Sequence, residues 1–583
     1  MQMIRLSFFS EACTRLQGMM SRHFSMCLFL AVGFAANFSG AVDEDALFLP
    51  RCYPAKMDID VIDMVAADQD HRLTATTLQG LVNRQEQASL YLLLAEHDVF
   101  WLAYLKEQGF IKSATPITFE EALKKHASQI QALVIHDTAL PASINIATMI
   151  AAEQDGIVVS PEQLPVSALP GIKQIDLRAR WKNNAEAYRW AIKNLLPVMN
   201  RQILACYHPT ACGHRIRDYL VQHKVFHFWA SSKQVDALPS TDSAEEREVV
   251  KEILASTLPN IPVLGFWYAG PDPGLDEYNG VGLAGTYGKI TVVCDLATNL
   301  SLLGGVHAPL DTAVDRYQER LRQAPPELDR DKVYLCIDIV ESGDSPSYVQ
   351  NRMYKVWQDE KRGSLPVNWS LGPAILDLAP SIAQFYYAKA TDVDYLYMSL
   401  SGAGYCHPYR SLFAKTADPD QAWEDYLALT RTYQARMRTG TISLYTDAWK
   451  LFDRSTQDKI TERFVKGLPG LKALVLGMGR DEGISPEKAN YYLHGSASPL
   501  VSHIMTRWSP DYGKKSREEN IAWLVADIRD HTPETRPAFI HVMALSWVFG
   551  PSELQVVLEQ LGADYVPLTI PQFTGLFEAN MRP

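Results

Sequence analysis

Between Val333 and Asn580 the chain alternates short apolar runs with longer amphipathic stretches. The apolar runs are Val333–Val340, Val367–Ser370, Tyr395–Ser401, Thr441–Tyr445, Ala473–Leu476, Val501–Thr506, Ala538–Leu545 and Tyr565–Thr569. Helical patterns fall between them at Ser347–Glu360, Leu376–Ala390, Pro419–Met437, Gln457–Lys466, Arg517–Asp530 and Pro551–Leu561, with a last one at Gln572–Asn580. Nearly continuous apolar runs are what parallel strands require when both sheet faces are covered. Eight strand–helix units in roughly 250 residues predict a (β/α)8 TIM-like barrel, assigned here to 329–583. The fifth-to-sixth connection, Gly477 to Pro499, is rich in Gly, Ser and charge and reads as a long active-site loop.

The residues before the barrel alternate strand and helix on a shorter rhythm. Thr74–Arg84 reads as a helix, Leu90–Leu94 as a buried strand and Val99–Leu105 as a helix. Ala132–His136 and Gly156–Val159 read as strands around a helix at Ile144–Ala152. Phe226–Trp229 and Val263–Tyr268 read as strands of a further unit. The predicted fold class is therefore α/β: a C-terminal barrel preceded by small α/β domains at 42–110, 111–197 and 198–328. Asp276 and Glu277 lie in a Gly-, Pro- and acid-rich stretch, where they either reach a cleft or are solvated.

Composition narrows the function classes. A net charge of −12 argues against nucleic acid as the partner, because that needs clustered Lys and Arg. Near the N-terminus, Arg22 and His23 precede the apolar run Met26–Ala36, and Ser39-Gly40-Ala41 follows. This pattern predicts a signal peptide at 1–41 and export to the periplasm or medium, an uncleaved anchor being the other reading. No other run is long and apolar enough to span a membrane, so no span is expected in the mature chain. Six of the eight cysteines lie beyond the signal, too few for a disulfide-built scaffold, although export permits a Cys206–Cys212 bridge. No Cys/His ligand spacing points to zinc, and no cofactor fingerprint stands in context, so none is expected.

In a barrel of this kind function lies at the C-terminal strand ends. There the chain places Asp338, Glu341 and Asp344, then Trp369, then Gly402, Gly404, Tyr405 and His407. Later strands contribute Arg480, Asp481 and Glu482, then Arg507 and Trp508, then Trp547. Aromatic rings suit the apolar faces of sugars, and Asp and Arg suit their hydroxyls. Glycoside hydrolysis needs two carboxyl groups facing each other. The first and fifth strands lie across the barrel, so Asp344 or Glu341 can oppose Asp481 or Glu482. Asp338 either points into the mouth or is buried and paired. Asp344, just before Ser345-Pro346, is also placed to cap the next helix. Asp338, Glu341 and Asp344 together could bind a divalent ion through oxygen, though no EF-hand spacing is present.

Gly402-Ala403-Gly404-Tyr405-Cys406-His407-Pro408 resembles the motif that names the GxGYxYP family, a proposed class of glycoside hydrolases. Thr77–Arg84, Asn299-Leu300-Ser301, and Trp369 with Pro373 agree with it in order along the chain. The resemblance implies small N-terminal α/β domains, a TIM-like barrel and a carbohydrate substrate. The chain departs from the family at His407, where the motif has a second tyrosine. It departs again at Ser342-Gly343-Asp344-Ser345, where an Asp-Gly-Asp-Asn turn is expected. These departures leave a non-catalytic carbohydrate-binding protein on the same barrel as the alternative.

Overall fold

The structure is a computed structural model. It describes residues 48–163, 171–230, 243–267, 275–340, 345–445, 454–476, 491–493, 499–503, 505–506 and 511–581.

Three small parallel sheets come first. Strands β1 (Ala55–Asp63), β2 (Ala88–Leu93) and β3 (Ser113–Pro116) assemble in the order β2-β1-β3. Strands β4 (Ala132–Ile135), β5 (Gly156–Val159) and β6 (Lys173–Asp176) form β5-β4-β6. Strands β7 (Asn200–Cys206), β8 (Val225–Phe228), β9 (Ile261–Gly265) and β10 (Lys289–Val293) form β10-β9-β7-β8, with β10 at the edge. All pairings in these sheets are parallel. Cys206 and Cys212 remain free thiols, so the bridge that export would permit is not made.

A buried polar clamp joins the first sheet to the third. Gln79 and Asn83, on the helix Gln69–Val82 and at its C-cap, donate to Asn299 Oδ1 (2.7 Å) and Ser301 Oγ (2.9 Å). Asn299 in turn donates to Leu92 O and accepts from Leu92 N. Asp218 accepts from Ser301 N, and Gln222 donates to Asn83 O. Buried amides persist only when such bonds are made, which is why the chain keeps Gln and Asn inside a helix packed on a sheet. Thr77–Arg84 and Asn299–Ser301, two of the stretches that carry the family resemblance, thus act here as packing.

The TIM-like barrel follows. Strands β11 (Val333–Val340), β12 (Val367–Leu371), β13 (Asp394–Met398), β14 (Thr441–Leu444) and β15 (Ala473–Leu476) pair in sequence order. An antiparallel hairpin strand β16 (Tyr491–Leu493) leads to β17 (Leu500–His503), which pairs with β15, and β18 (Met505–Thr506), which pairs with β19 (Ala538–Leu545). β19 pairs with β11 along its whole length, so seven parallel strands close nearly into a ring. The eighth strand, β20 (Tyr565–Leu568), is present but pairs only with the first half of β11. It thereby hands the chain to the helix Ile570–Met581, which touches both β11 and β15. Phe573 on that helix packs against Phe539 and His541 of β19.

Alternation along the strands sorts the barrel's side chains. One parity is apolar and meets the helices, as with Leu335, Ile337 and Ile339 on β11. The other is polar and its members bond to one another. Tyr395 OH lies 2.8 Å from Thr441 Oγ1, and Asn368 Nδ2 donates to Cys336 Sγ at 3.1 Å. Asn368 Oδ1 also accepts from Ile570 N, which ties the last helix to β12.

Candidate functional site

The predicted site residues divide into three sets. Glu341, Asp344, Arg480, Asp481, Glu482, Arg507 and Trp508 lie outside the described residues. The cap that Asp344 was placed to provide is supplied by Ser345, whose Oγ accepts from Tyr348 N at 3.1 Å.

Two of the remaining predicted residues, Trp369 and Asp338, are buried away from the mouth. Trp369 does not face the mouth. It has the outward parity of β12, is 0% exposed, packs on Trp357 and donates its indole N–H to Asp394 Oδ1 at 2.9 Å. Asp338 has the inward parity but sits below the mouth, fully buried. Its Oδ2 accepts from Tyr397 OH at 2.6 Å, and its Oδ1 lies 3.0 Å from His541 Nε2. His541 Nδ1 meets Ser502 Oγ at 2.8 Å. Of the two readings for Asp338, buried and paired is the one observed, and it takes no sugar. Cys336, Asp338 and His541 bring their donor atoms within 4.8 Å of one another and could hold a metal ion. Cys336 Sγ, Asp338 Oδ2 and His541 Nδ1 bond to Asn368, Tyr397 and Ser502, while Asp338 Oδ1 and His541 Nε2 face each other.

The motif turn is built as a clamp. Gly402 has φ +104°, and a Cβ there would lie 2.7 Å from Thr430 Oγ1. Gly404 lets the backbone pass so close to β10 that a Cβ would lie 2.8 Å from Ile290 Cγ2 and 3.0 Å from Thr291 O. Tyr405 then exchanges two backbone hydrogen bonds with Thr291, at 2.8 and 3.0 Å. The loop after the third barrel strand thereby adds a bridge to the exposed edge of the third small sheet. Ser401 fixes the turn from within, donating to Cys406 O and accepting from Tyr445 N, both at 2.9 Å.

An aromatic column stands on this clamp. The His407 ring stacks between Tyr445 (4.5 Å, 21°) and Tyr278 (4.9 Å, 30°). The Arg410 guanidinium lies 4.2 Å above the Tyr278 ring, in cation–π range. Tyr405 stands edge-on to His407 and donates its hydroxyl to Glu277 Oε1 at 3.2 Å. Asp276 caps the helix Glu277–Thr286, accepting from Asn279 N, and so fixes Glu277 in its first turn. His407 is 2% exposed, and among the described residues neither ring nitrogen has a hydrogen-bond partner. Burial, with Arg410 beside it, holds its pKa down to about 3, so the ring is neutral. The neutral imidazole keeps one donor and one acceptor unspent among the described residues, behind the partly exposed Glu277, Tyr278 and Arg410, groups that suit hydroxyl-rich ligands. Glu277, Tyr278, Arg410 and Tyr445 were not singled out as site residues from sequence. Glu277 carries a signal as an acid in a Gly-rich stretch, and Tyr445 carries one as the end of the fourth apolar run.

Comparison with known proteins agrees with this architecture. Domain models of one family match in series: "GxGYxYP_N 1st domain" at 58–128, "GxGYxYP_N second domain" at 130–199, "GxGYxYP third domain" at 201–305, and "GxGYxYP putative glycoside hydrolase C-terminal domain" at 331–578. No curated protein matches the chain. Among solved structures, the crystal structure of "a putative hydrolase from Bacteroides thetaiotaomicron VPI-5482" superposes with a TM-score of 0.73. It is 16% identical, over 94% of this chain and 99% of that one, a likeness of fold. The four matches cover the small sheets and the barrel in order, and the chain belongs to the GxGYxYP family.

Proposed function

We propose that this protein is an exported glycoside hydrolase that cleaves a polysaccharide or glycan at the barrel mouth. The observation that carries this reading is the aromatic column at the mouth, Tyr278–His407–Tyr445 with Glu277 and Arg410, on a barrel whose family description is a glycoside hydrolase. What the column offers a sugar is its partly exposed end, the Tyr278 ring with Glu277 and Arg410. Asp344, with Glu341 beside it, supplies one catalytic carboxyl group. Asp481 or Glu482 supplies the other, as acid against nucleophile or base. Tyr405 shapes the pocket wall, and Arg507 and Trp508 position the sugar.

The test is a hydrolysis screen of the purified chain lacking residues 1–41 against a panel of glycans. Asp344→Asn is then expected to lower kcat roughly 10²–10⁴-fold while glycan binding survives. A wild type that binds a glycan but turns over none of the panel favours the non-catalytic carbohydrate-binding reading that the Ser342 departure raises.

A further inference from the structure

A second opening lies on the rim beside the C-terminal end of β19. Its volume is about 540 Å³, within the ~300–1,000 Å³ of small-ligand sites. Its walls carry Trp547, Arg352, Lys355, Lys515 and Arg517, with the acids Asp359 and Glu553. Trp547 is 44% exposed, and it is the exposed tryptophan among the described residues.

One face of Trp547 is already used. The Arg352 guanidinium stacks 4.5 Å over the ring, and its Nε and Nη2 donate to Ser546 O at 3.2 and 3.0 Å. These bonds hold the indole in place, with the rest of its surface open to the cavity. Arg352 Nη1 makes no hydrogen bond among the described residues.

Charge sets the ligand class. Four cations line the opening against two acids, in a chain whose net charge is −12. Both acids are committed to the helix Pro551–Leu561. Asp359 accepts from Ser552 N (3.0 Å) and Ser552 Oγ (2.7 Å). Glu553 accepts from Gly550 N (2.8 Å) and from Arg517 Nε (2.6 Å). Lys355 reaches out to Glu96 at 2.7 Å, a solvated pair that a ligand can displace at little cost.

We propose that this cavity is a subsite for a negatively charged sugar unit, carrying a carboxylate or a sulfate, stacked on Trp547. The acid group lies toward Lys355, Lys515 and Arg352. The inference rests on the glycan reading above and adds to it the substrate class.

Calorimetric titration of the purified protein tests it, with tetragalacturonate and a sulfated carrageenan tetrasaccharide as acidic probes and cellotetraose as the neutral one. At least one acidic probe is expected to bind about tenfold or more tightly than cellotetraose, and to weaken severalfold as salt is raised to about 0.3 M. Which acidic probe binds distinguishes carboxylate from sulfate. Trp547→Ala and Lys355→Ala/Lys515→Ala are each expected to weaken that binding about tenfold with the thermal midpoint unchanged. Equal binding of neutral and acidic probes, or acidic binding untouched by Trp547→Ala, overturns the proposal. If neutral glycans are hydrolysed and no acidic probe binds, the subsite falls and the hydrolase stands. If acidic probes bind through Trp547 and no glycan is hydrolysed, the hydrolase falls and the subsite stands.

Discussion

Tyr405 and Thr291 exchange both of their backbone hydrogen bonds, so the barrel's third loop is stitched to the edge of the preceding sheet. This seam makes the glycine-tyrosine motif structural before it is functional. Gly404→Val should therefore lower the unfolding midpoint, because its Cβ meets β10 backbone at 3.0 Å. The expected cost is about 1–3 kcal/mol, read by differential scanning calorimetry. Tyr405→Phe, which loses the hydroxyl's bonds to Glu277 and Tyr445, should cost about 1–2 kcal/mol. Equal and negligible effects would remove the seam's importance.

His407 gives the sharper test of the pocket. Its two ring nitrogens are buried without partners among the described residues, so His407→Phe removes no hydrogen bond among them. Stability should stay within about 1 kcal/mol of wild type, or rise, while glycan affinity falls. A loss of stability of about 3 kcal/mol would instead reveal a structural partner for the imidazole.

Trp369 should behave in the opposite way. It packs on Trp357 and bonds to Asp394 in the layer between β12 and the helices. Trp369→Ala is expected to cost about 3–5 kcal/mol through the cavity it leaves, while KM for any substrate of the folded fraction is unchanged. A selective rise in KM with normal stability would return this residue to the mouth.

Asp218 predicts a pH dependence. Burial pushes its carboxyl from the ordinary 3.8 up to about 6, against hydrogen bonds from the Ser301 backbone and side chain and from the Tyr219 backbone. A carboxyl that holds its proton more tightly in the folded state contributes stability in full below about pH 4, and this is lost as pH rises through 6. The loss reaches about 3 kcal/mol for two pKa units. Asp218→Asn has no proton to release. Its midpoint relative to wild type should rise between pH 4 and 7, and a constant difference across that window would refute the assignment.

How much of this could be read without coordinates varies by residue. The runs Val333–Val340, Ala473–Leu476 and Ala538–Leu545 coincide with β11, β15 and β19, because strands buried on both faces leave a continuous apolar signature. Strand parity also made Asp338 either a mouth residue or a buried one, and the bonds to Tyr397 and His541 decided it. The same parity, applied to Trp369, already pointed outward, and only its position near a strand end suggested a site.

The sequence by itself determined a barrel of alternating strands and helices behind small α/β units, since those features rest on local periodicity. It also marked the glycine-tyrosine turn, because glycine opens backbone conformations closed to other residues and proline fixes its own. Only the tertiary structure decided the closure through seven strands, the seat of β20 beside β11, and the helix at Ile570–Met581 that reaches across to β15. It alone brought Glu277 to Tyr405 and Tyr278 to His407, across 128 residues of chain in the first case. Pairings of that range depend on how whole sheets dock, and docking is set by summed burial over many residues that no local pattern records.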